Sequence, residues 1–332
     1  MKQYNVAIVG ATGAVGQEFL KVLAERKFPV GDLKLLATAR SAGKVINWQG
    51  KDYTVEETRP EAFAGVDFAL FAGGSASTEF AKDAVERGAV VIDNSSAFRL
   101  DPEVPLIVPE VNPDDVKWHK GIIANPNCST IIMAVAIKPL YDASRIKRVV
   151  VSTYQAVSGA GREGIDELEA QVKETVAGGE ISSKVFPYQI AFNLIPRIDV
   201  FQDGDYTKEE WKMVKETQKI FHDEQMAITA TTVRVPVYRS HSESINVETE
   251  TKLTQAEAKS VLAKAPGVVV MDEVAKDIYP MPITAADTDE VYVGRIREDF
   301  SIANGLNLWA VGDQIRKGAA TNAIQIAELL IK

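Results

Sequence analysis

Apolar and polar positions along the chain change rhythm near its middle. Residues 4–9 form a β-rich apolar run that breaks at Gly10-Ala11-Thr12-Gly13-Ala14-Val15-Gly16, after which Phe19, Leu20 and Leu23 share one helical face. Another apolar run follows at 33–37, two more at 66–71 and 89–93 bracket a helical pattern at 77–87, and a short one lies at 121–124. Continuous rather than alternating apolar runs, separated by helical patterns, predict a parallel sheet buried on both faces. Beyond residue 128 strands dominate. Runs at 148–154, 229–237, 244–250, 267–271, 291–296 and 306–310 interleave with helical patterns at 129–138, 162–176, 208–225 and 254–265, and a last helix is expected over 311–330. The prediction is an α/β chain in two parts. Residues 1–127 are expected to form a Rossmann-type dinucleotide-binding domain, completed by a C-terminal helix at 311–332, and residues 128–310 an α+β domain on a mixed, largely antiparallel sheet.

Composition narrows the setting. The 332 residues are 46% hydrophobic, enough for two sizeable cores, and carry a net charge of −9, which disfavours nucleic acid or an anionic membrane as partner. The apolar run at 131–137 is far shorter than the roughly 20 residues that span a bilayer. The chain runs from Met1 and Lys2 straight into a strand without a signal-peptide pattern, and one cysteine suits a reducing compartment, so a cytoplasmic protein is expected. No metal site is expected.

That cysteine, Cys128, stands in Asn125-Pro126-Asn127-Cys128-Ser129-Thr130. A short strand ends at Asn125 and Pro126, Asn127 is placed to cap the helix that follows, and the thiol falls in its first turn. Unpaired N–H groups and the helix dipole favour thiolate there, lowering a cysteine pKa from about 8.5 to roughly 3.5–7.5. A cysteine that only fills a core has no need of this polar, turn-forming frame. In the first half, strand, glycine turn and helix suit a pyrophosphate, the glycines Gly10 and Gly13 letting the backbone approach it. The end of the second strand offers Thr38, Ala39, Arg40 and Ser41 and no acid, which favours NADP over NAD. Arg99, just past a later strand, suits either a phosphate or an ion pair.

Cys128, Gln155 in Tyr154-Gln155-Ala156-Val157-Ser158-Gly159-Ala160-Gly161, and His241 seven residues beyond Arg234 in Arg234-Val235-Pro236-Val237 complete a thiol enzyme's polar set. With Arg316-Lys317-Gly318-Ala319-Ala320 near the end, these motifs follow one another as in the aspartate-β-semialdehyde dehydrogenases, which the chain resembles from end to end. The resemblance implies NADP-dependent interconversion of aspartate semialdehyde plus phosphate with aspartyl phosphate, serving lysine, threonine and methionine synthesis. It implies Cys128 as the nucleophile that becomes a thioester, His241 as the acid–base group that takes the hemithioacetal proton, and Gln155 as an orienting amide. It also implies Arg234 at the substrate carboxylate, Glu209 at its ammonium, Lys212 and Arg99 at the phosphate, and Asn127 beside the substrate. Thr12, Gly13, Ala14, Val15, Arg40, Ser41, Ser158 and Gly159 carry over to the cofactor. Gln314 stands where the family commonly has Asn, which puts its nicotinamide contact in question. A homodimer or a dimer of dimers is implied, with residues 128–310 as the catalytic and dimerisation domain.

Two rivals were weighed. N-acetyl-γ-glutamyl-phosphate reductase shares the thioester chemistry, but its Gly and Tyr-Pro surroundings of the cysteine are replaced here by Asn127 and Ser129-Thr130. A non-catalytic NADP-binding regulator predicts loss of Cys128, Gln155 or His241, and all three are present.

Overall fold

A computed structural model describes residues 2–331, and the chain divides into two units, Met1–Asn127 with Ala319–Lys332, and Cys128–Gly318. In the first unit β1 (Tyr4–Val9) leads into α1 (Ala14–Glu25) and β2 (Val30–Ala37). A hairpin, β3 (Val45–Trp48) with β4 (Lys51–Thr54), and the two-residue β5 (Glu56–Glu57) come next. Then follow β6 (Phe68–Phe71), α2 (Ala76–Glu86), β7 (Val90–Asp93) and β8 (Ile122–Ala124). The main sheet is parallel throughout, in the order β5-β2-β1-β6-β7-β8.

Successive residues of β1 serve different cores: Val6 and Ile8 pack in one cluster with Phe19, Leu23 and the C-terminal helix, Ala7 and Val9 in another with Phe71 and Ala84. That is why β1 and β6 read as unbroken apolar runs. The strand order reverses between β1 and β6, and at such a switch point ligands bind beyond the strand ends. The glycine turn is fixed there sterically. Gly10 has φ +86°, and a Cβ on Gly16 would lie 2.2 Å from the Gly10 carbonyl oxygen, so α1 can pack this close only with glycine.

The second unit opens with α3 (Cys128–Ala143), buried on every side from Ser129 to Ile137. It runs past the expected end at residue 138, because Pro139 removes one hydrogen bond without ending a helix enclosed in the core. Next come β9 (Ile146–Gln155), α4 (Arg162–Ala177), α5 (Lys208–Ile220), β10 (Ala227–Arg234), β11 (His241–Thr249) and α6 (Gln255–Leu262). They are followed by β12 (Val268–Val270), the short α7 (Pro282–Ala285), β13 (Val291–Asp299) and β14 (Gly305–Gly312). The sheet order is β10-β9-β11-β14-β13-β12; β10–β9 and β12–β13 are parallel and the other pairs antiparallel, a mixed sheet as expected.

The expected last helix over 311–330 is a correction. Val311 and Gly312 belong to β14, paired with Ser242 and His241, and a π-helical turn, Arg316–Ala320, precedes the helix Thr321–Leu329. The buried Asp313 accepts the Ile315 and Arg316 amides at 2.9 and 3.0 Å, which ends the strand in a turn. Helix α5 stops at Ile220 rather than running to 225, and the buried Asp223 just beyond it accepts hydrogen bonds from Arg145 and Tyr141. Among the described residues no helix is long and apolar enough to cross a membrane.

Candidate active site

Strand register in the second unit stacks polar side chains in two rows on one sheet face. Arg234 of β10 is level with Gln155 of β9, and one step beyond the Ser242–Tyr154 pair lies His241 of β11. In the next row Thr232 is level with Thr153, and Thr153 with Glu243. Below these the face is apolar, with Ala230, Val151 and Ile245 in register. A catalytic row at strand ends, braced by a second polar row over a dry core, follows from the two-residue period of strands.

The upper row is tightly tied. Gln155 donates from Nε2 to Glu209 Oε1 and Thr153 Oγ1, both at 3.3 Å. Glu209, 5% exposed, accepts Lys212 Nζ at 3.1 Å, and Lys212 also binds Asp199 at 2.9 Å. Burial pulls the Lys212 ammonium down, but Glu209 and Asp199 outweigh it, so its pKa is raised and the lysine stays charged. Glu209 and Lys212 thus share a helix face as their spacing predicts, although half-sunk rather than in solvent. Arg234 donates from Nη1 to the Ala156 carbonyl at 2.6 Å and lies 5.8 Å over the Phe186 ring. Burial lowers its pKa, with Glu209 and Cys128 acting in the opposite sense, so the guanidinium feels both groups.

His241 is fully buried, and its tautomer follows from one contact. The Ala156 amide donates to Nδ1 at 3.1 Å, so Nδ1 is an acceptor and the proton sits on Nε2. Nε2 has no hydrogen-bond partner among the described residues. Burial, then the Arg234 charge, hold the pKa well below the ordinary value, against a smaller opposing effect of the Ser240 backbone. The imidazole is neutral and presents an N–H. A Cβ on Gly159 would lie 2.7 Å from Arg234 Nη1 and 3.4 Å from His241 Nε2, so this glycine keeps open the space that both groups border.

Cys128 is the first residue of α3 and is partly exposed, the setting expected of a reactive thiol. Gly318, in the π-helical turn, closes over it: a Cβ there would approach the Cys128 Cβ to 2.9 Å. Gly318→Ala should therefore displace the thiol and lower kcat by about 10²-fold with the fold retained, as steady-state rates and a thermal melt would show. Gln314 accepts the Ser240 amide at 2.8 Å and donates to Ser158 Oγ, so its longer stem links the start of β11 to the Ser158–Gly159 loop.

In the first unit, Thr12 Oγ1 meets Ser41 Oγ at 3.4 Å, Arg40 is exposed in a short turn after β2, and Gly13 to Val15 open α1. A cavity of 360 Å³ lies at the switch point, lined among others by Gly10, Thr38, Gly73, Gly74, Glu57 and Glu79. The end of β2 itself carries no acid, as expected, but a neighbouring strand brings one to it. Glu57 of β5 pairs in register with Ala37 and lines the cavity; the sequence hid it because it arrives on another strand. Arg99 is buried and donates to the Asn125 carbonyl at 2.9 Å and the Asn94 carbonyl at 2.7 Å, holding two strand-end loops together. Asn127, also buried, immediately precedes Cys128. Among the described residues no group of His, Cys, Asp and Glu could hold a metal ion.

One acid lies outside this network. Glu243 is fully buried and neither carboxylate oxygen has a hydrogen-bond partner among the described residues, so burial raises its pKa well above the carboxylate value. The folded state thus holds this proton more tightly than the unfolded chain does, and its stability falls as pH rises through the unfolded value of 4.5. Glu243→Gln should match wild type in thermal melts near pH 4.5 and exceed it by roughly 2–4 °C at pH 8.

Comparison with known proteins shows the family. The semialdehyde dehydrogenase NAD binding domain matches residues 5–119, and the semialdehyde dehydrogenase dimerisation domain matches residues 137–317. The chain is 60% identical to aspartate-semialdehyde dehydrogenase of Aquifex aeolicus over 99% of this chain and 98% of that one. A crystal structure of aspartate semialdehyde dehydrogenase II complexed with ASA from Vibrio cholerae superposes with TM-score 0.97 at 49% identity, covering 100% and 99% of the two chains. The Candida albicans enzyme with NADP superposes with TM-score 0.76 at 27% identity, covering 99% of each.

Proposed function

This chain belongs to the aspartate-semialdehyde dehydrogenase family, and from that premise we propose that it interconverts aspartate semialdehyde plus phosphate with aspartyl phosphate through a thioester on Cys128. The observation that carries the reading is the row Arg234, Gln155, His241 on one sheet face, with Cys128 close enough for the arginine to feel its charge.

NADP, when bound, supplies or accepts the hydride. The glycine turn, the Thr12–Ser41 pair and the switch-point cavity fit a phosphorylated dinucleotide. In the reductive direction the Cys128 thiolate attacks the acyl phosphate carbonyl; the C–S bond forms, the C–OP bond breaks and phosphate leaves. Reduction of that thioester leaves negative charge on oxygen, and the His241 Nε2–H is the donor aimed at it. In reverse, a ring already carrying its Nε2 proton stabilises the oxygen of the hemithioacetal rather than stripping its proton. Arg234 holds the substrate carboxylate, the Glu209–Gln155 pair its ammonium, and Lys212 the phosphate. The match to a dimerisation domain supports assembly as a homodimer or a dimer of dimers, and we place the reaction in the cytoplasm, where a lone thiol stays reduced.

The test is NADP⁺ reduction with aspartate semialdehyde, with phosphate present and then omitted. Turnover that requires phosphate supports the acyl-transfer half. Turnover only with an N-acetylated glutamyl substrate contradicts the reading.

A further inference from the structure

A carboxylate lining the nucleotide cavity and the arginine paired with it have no place in the chemistry above. Glu57, in register with Ala37 at the end of β2, lines the cavity beside Thr38, where a dinucleotide's adenosine ribose lies in this fold. A carboxylate there accepts hydrogen bonds from the ribose 2′-OH of NAD and repels the 2′-phosphate of NADP. Glu57 is not free to do either unopposed. Arg59, two residues on, donates from Nε to Glu57 Oε2 at 2.9 Å and from Nη2 to the same oxygen. The arginine is mostly exposed and the glutamate about one-third, so the pair adds little to stability. Its consequence is electrostatic: it decides which charge the cavity wall presents beside Arg40, with Glu79 the other carboxylate on that wall.

We propose that the Glu57–Arg59 pair is a specificity device, in which Arg59 masks a carboxylate that would otherwise favour NAD and so keeps the site selective for NADP. Arg59 is then a determinant of cofactor choice without belonging to the glycine turn or to the end of β2, and Glu57 is a latent NAD site. The inference rests on NADP binding in this cavity.

Equilibrium binding of NADP⁺ and of NAD⁺ to the full-length enzyme, measured by titration calorimetry without substrate, tests it in wild type, Arg59→Ala, Glu57→Gln and the double variant. Arg59→Ala should lower the ratio of NADP⁺ to NAD⁺ affinity roughly fivefold, and Glu57→Gln should raise it by at least about threefold. The double variant should return near the Glu57→Gln value, because Arg59 acts mainly through Glu57. An equal ratio in all four proteins overturns the proposal and leaves an ordinary surface ion pair, as does a lower ratio in Glu57→Gln. Wild type that binds neither nucleotide overturns the underlying cofactor reading, and this inference with it. The Glu57→Gln side chain is isosteric and sits on an exposed edge strand, so a binding change without a shift in melting temperature is attributable to charge.

Discussion

Cys128→Ser removes turnover by roughly 10⁴-fold or more and leaves NADP⁺ affinity at its wild-type value. The hydroxyl keeps the size and position of the first residue of α3 but is not appreciably ionised at neutral pH, and the helix N-terminus and Arg234 that favour a thiolate cannot supply that deficit. Affinity is spared because the nucleotide cradle belongs to β1, α1 and the strand ends of the first unit. Single-turnover NADPH production with calorimetry of NADP⁺ binding reads both quantities. Appreciable turnover by the serine enzyme excludes a thioester.

His241→Ala lowers kcat by about 10²–10⁴-fold, and His241→Gln recovers at least roughly tenfold of that loss. The difference separates two roles. A base must accept a proton, which an amide cannot do; a donor needs only an N–H, which glutamine has. The geometry favours the donor, since the Ala156 amide occupies Nδ1 and leaves the proton on Nε2. The pH profile follows from the same environment. Burial and the Arg234 charge depress the histidine pKa, while Cys128 and Glu209 lie across the row. The ring is therefore neutral above and below its usual value of 6.5, and kcat should show no acid limb there that His241→Gln removes. A glutamine variant as inactive as alanine, together with a limb near 6.5, restores the base.

Much of this was legible in the chain. The glycine turn, the continuous apolar strands and the helix carrying Cys128 are local patterns, and each forms where its residues predict. The row of Arg234, Gln155 and His241 came from motif order rather than spacing, because register between strands far apart in sequence is a tertiary property. Glu57 was missed for the same reason: a two-residue strand carries no periodicity, and only its pairing with β2 brings the acid to the cavity. The end of the chain misled in another way. Val311 fits a helical apolar stripe as well as a strand, and the Asp313 side chain, which caps the following turn, decides between them. Gln314 departs from the family's usual Asn, yet it spans Ser240 and Ser158 with both ends of its amide in use.

The central claim is that Cys128 carries the acyl group. Intact-mass measurement of the enzyme mixed with aspartyl phosphate, in the absence of reduced cofactor, tests it most directly. One aspartyl group should appear per subunit, lost on adding hydroxylamine or NADPH and absent in Cys128→Ser; acylation that persists in the serine variant, or none in the wild type while turnover proceeds, contradicts it.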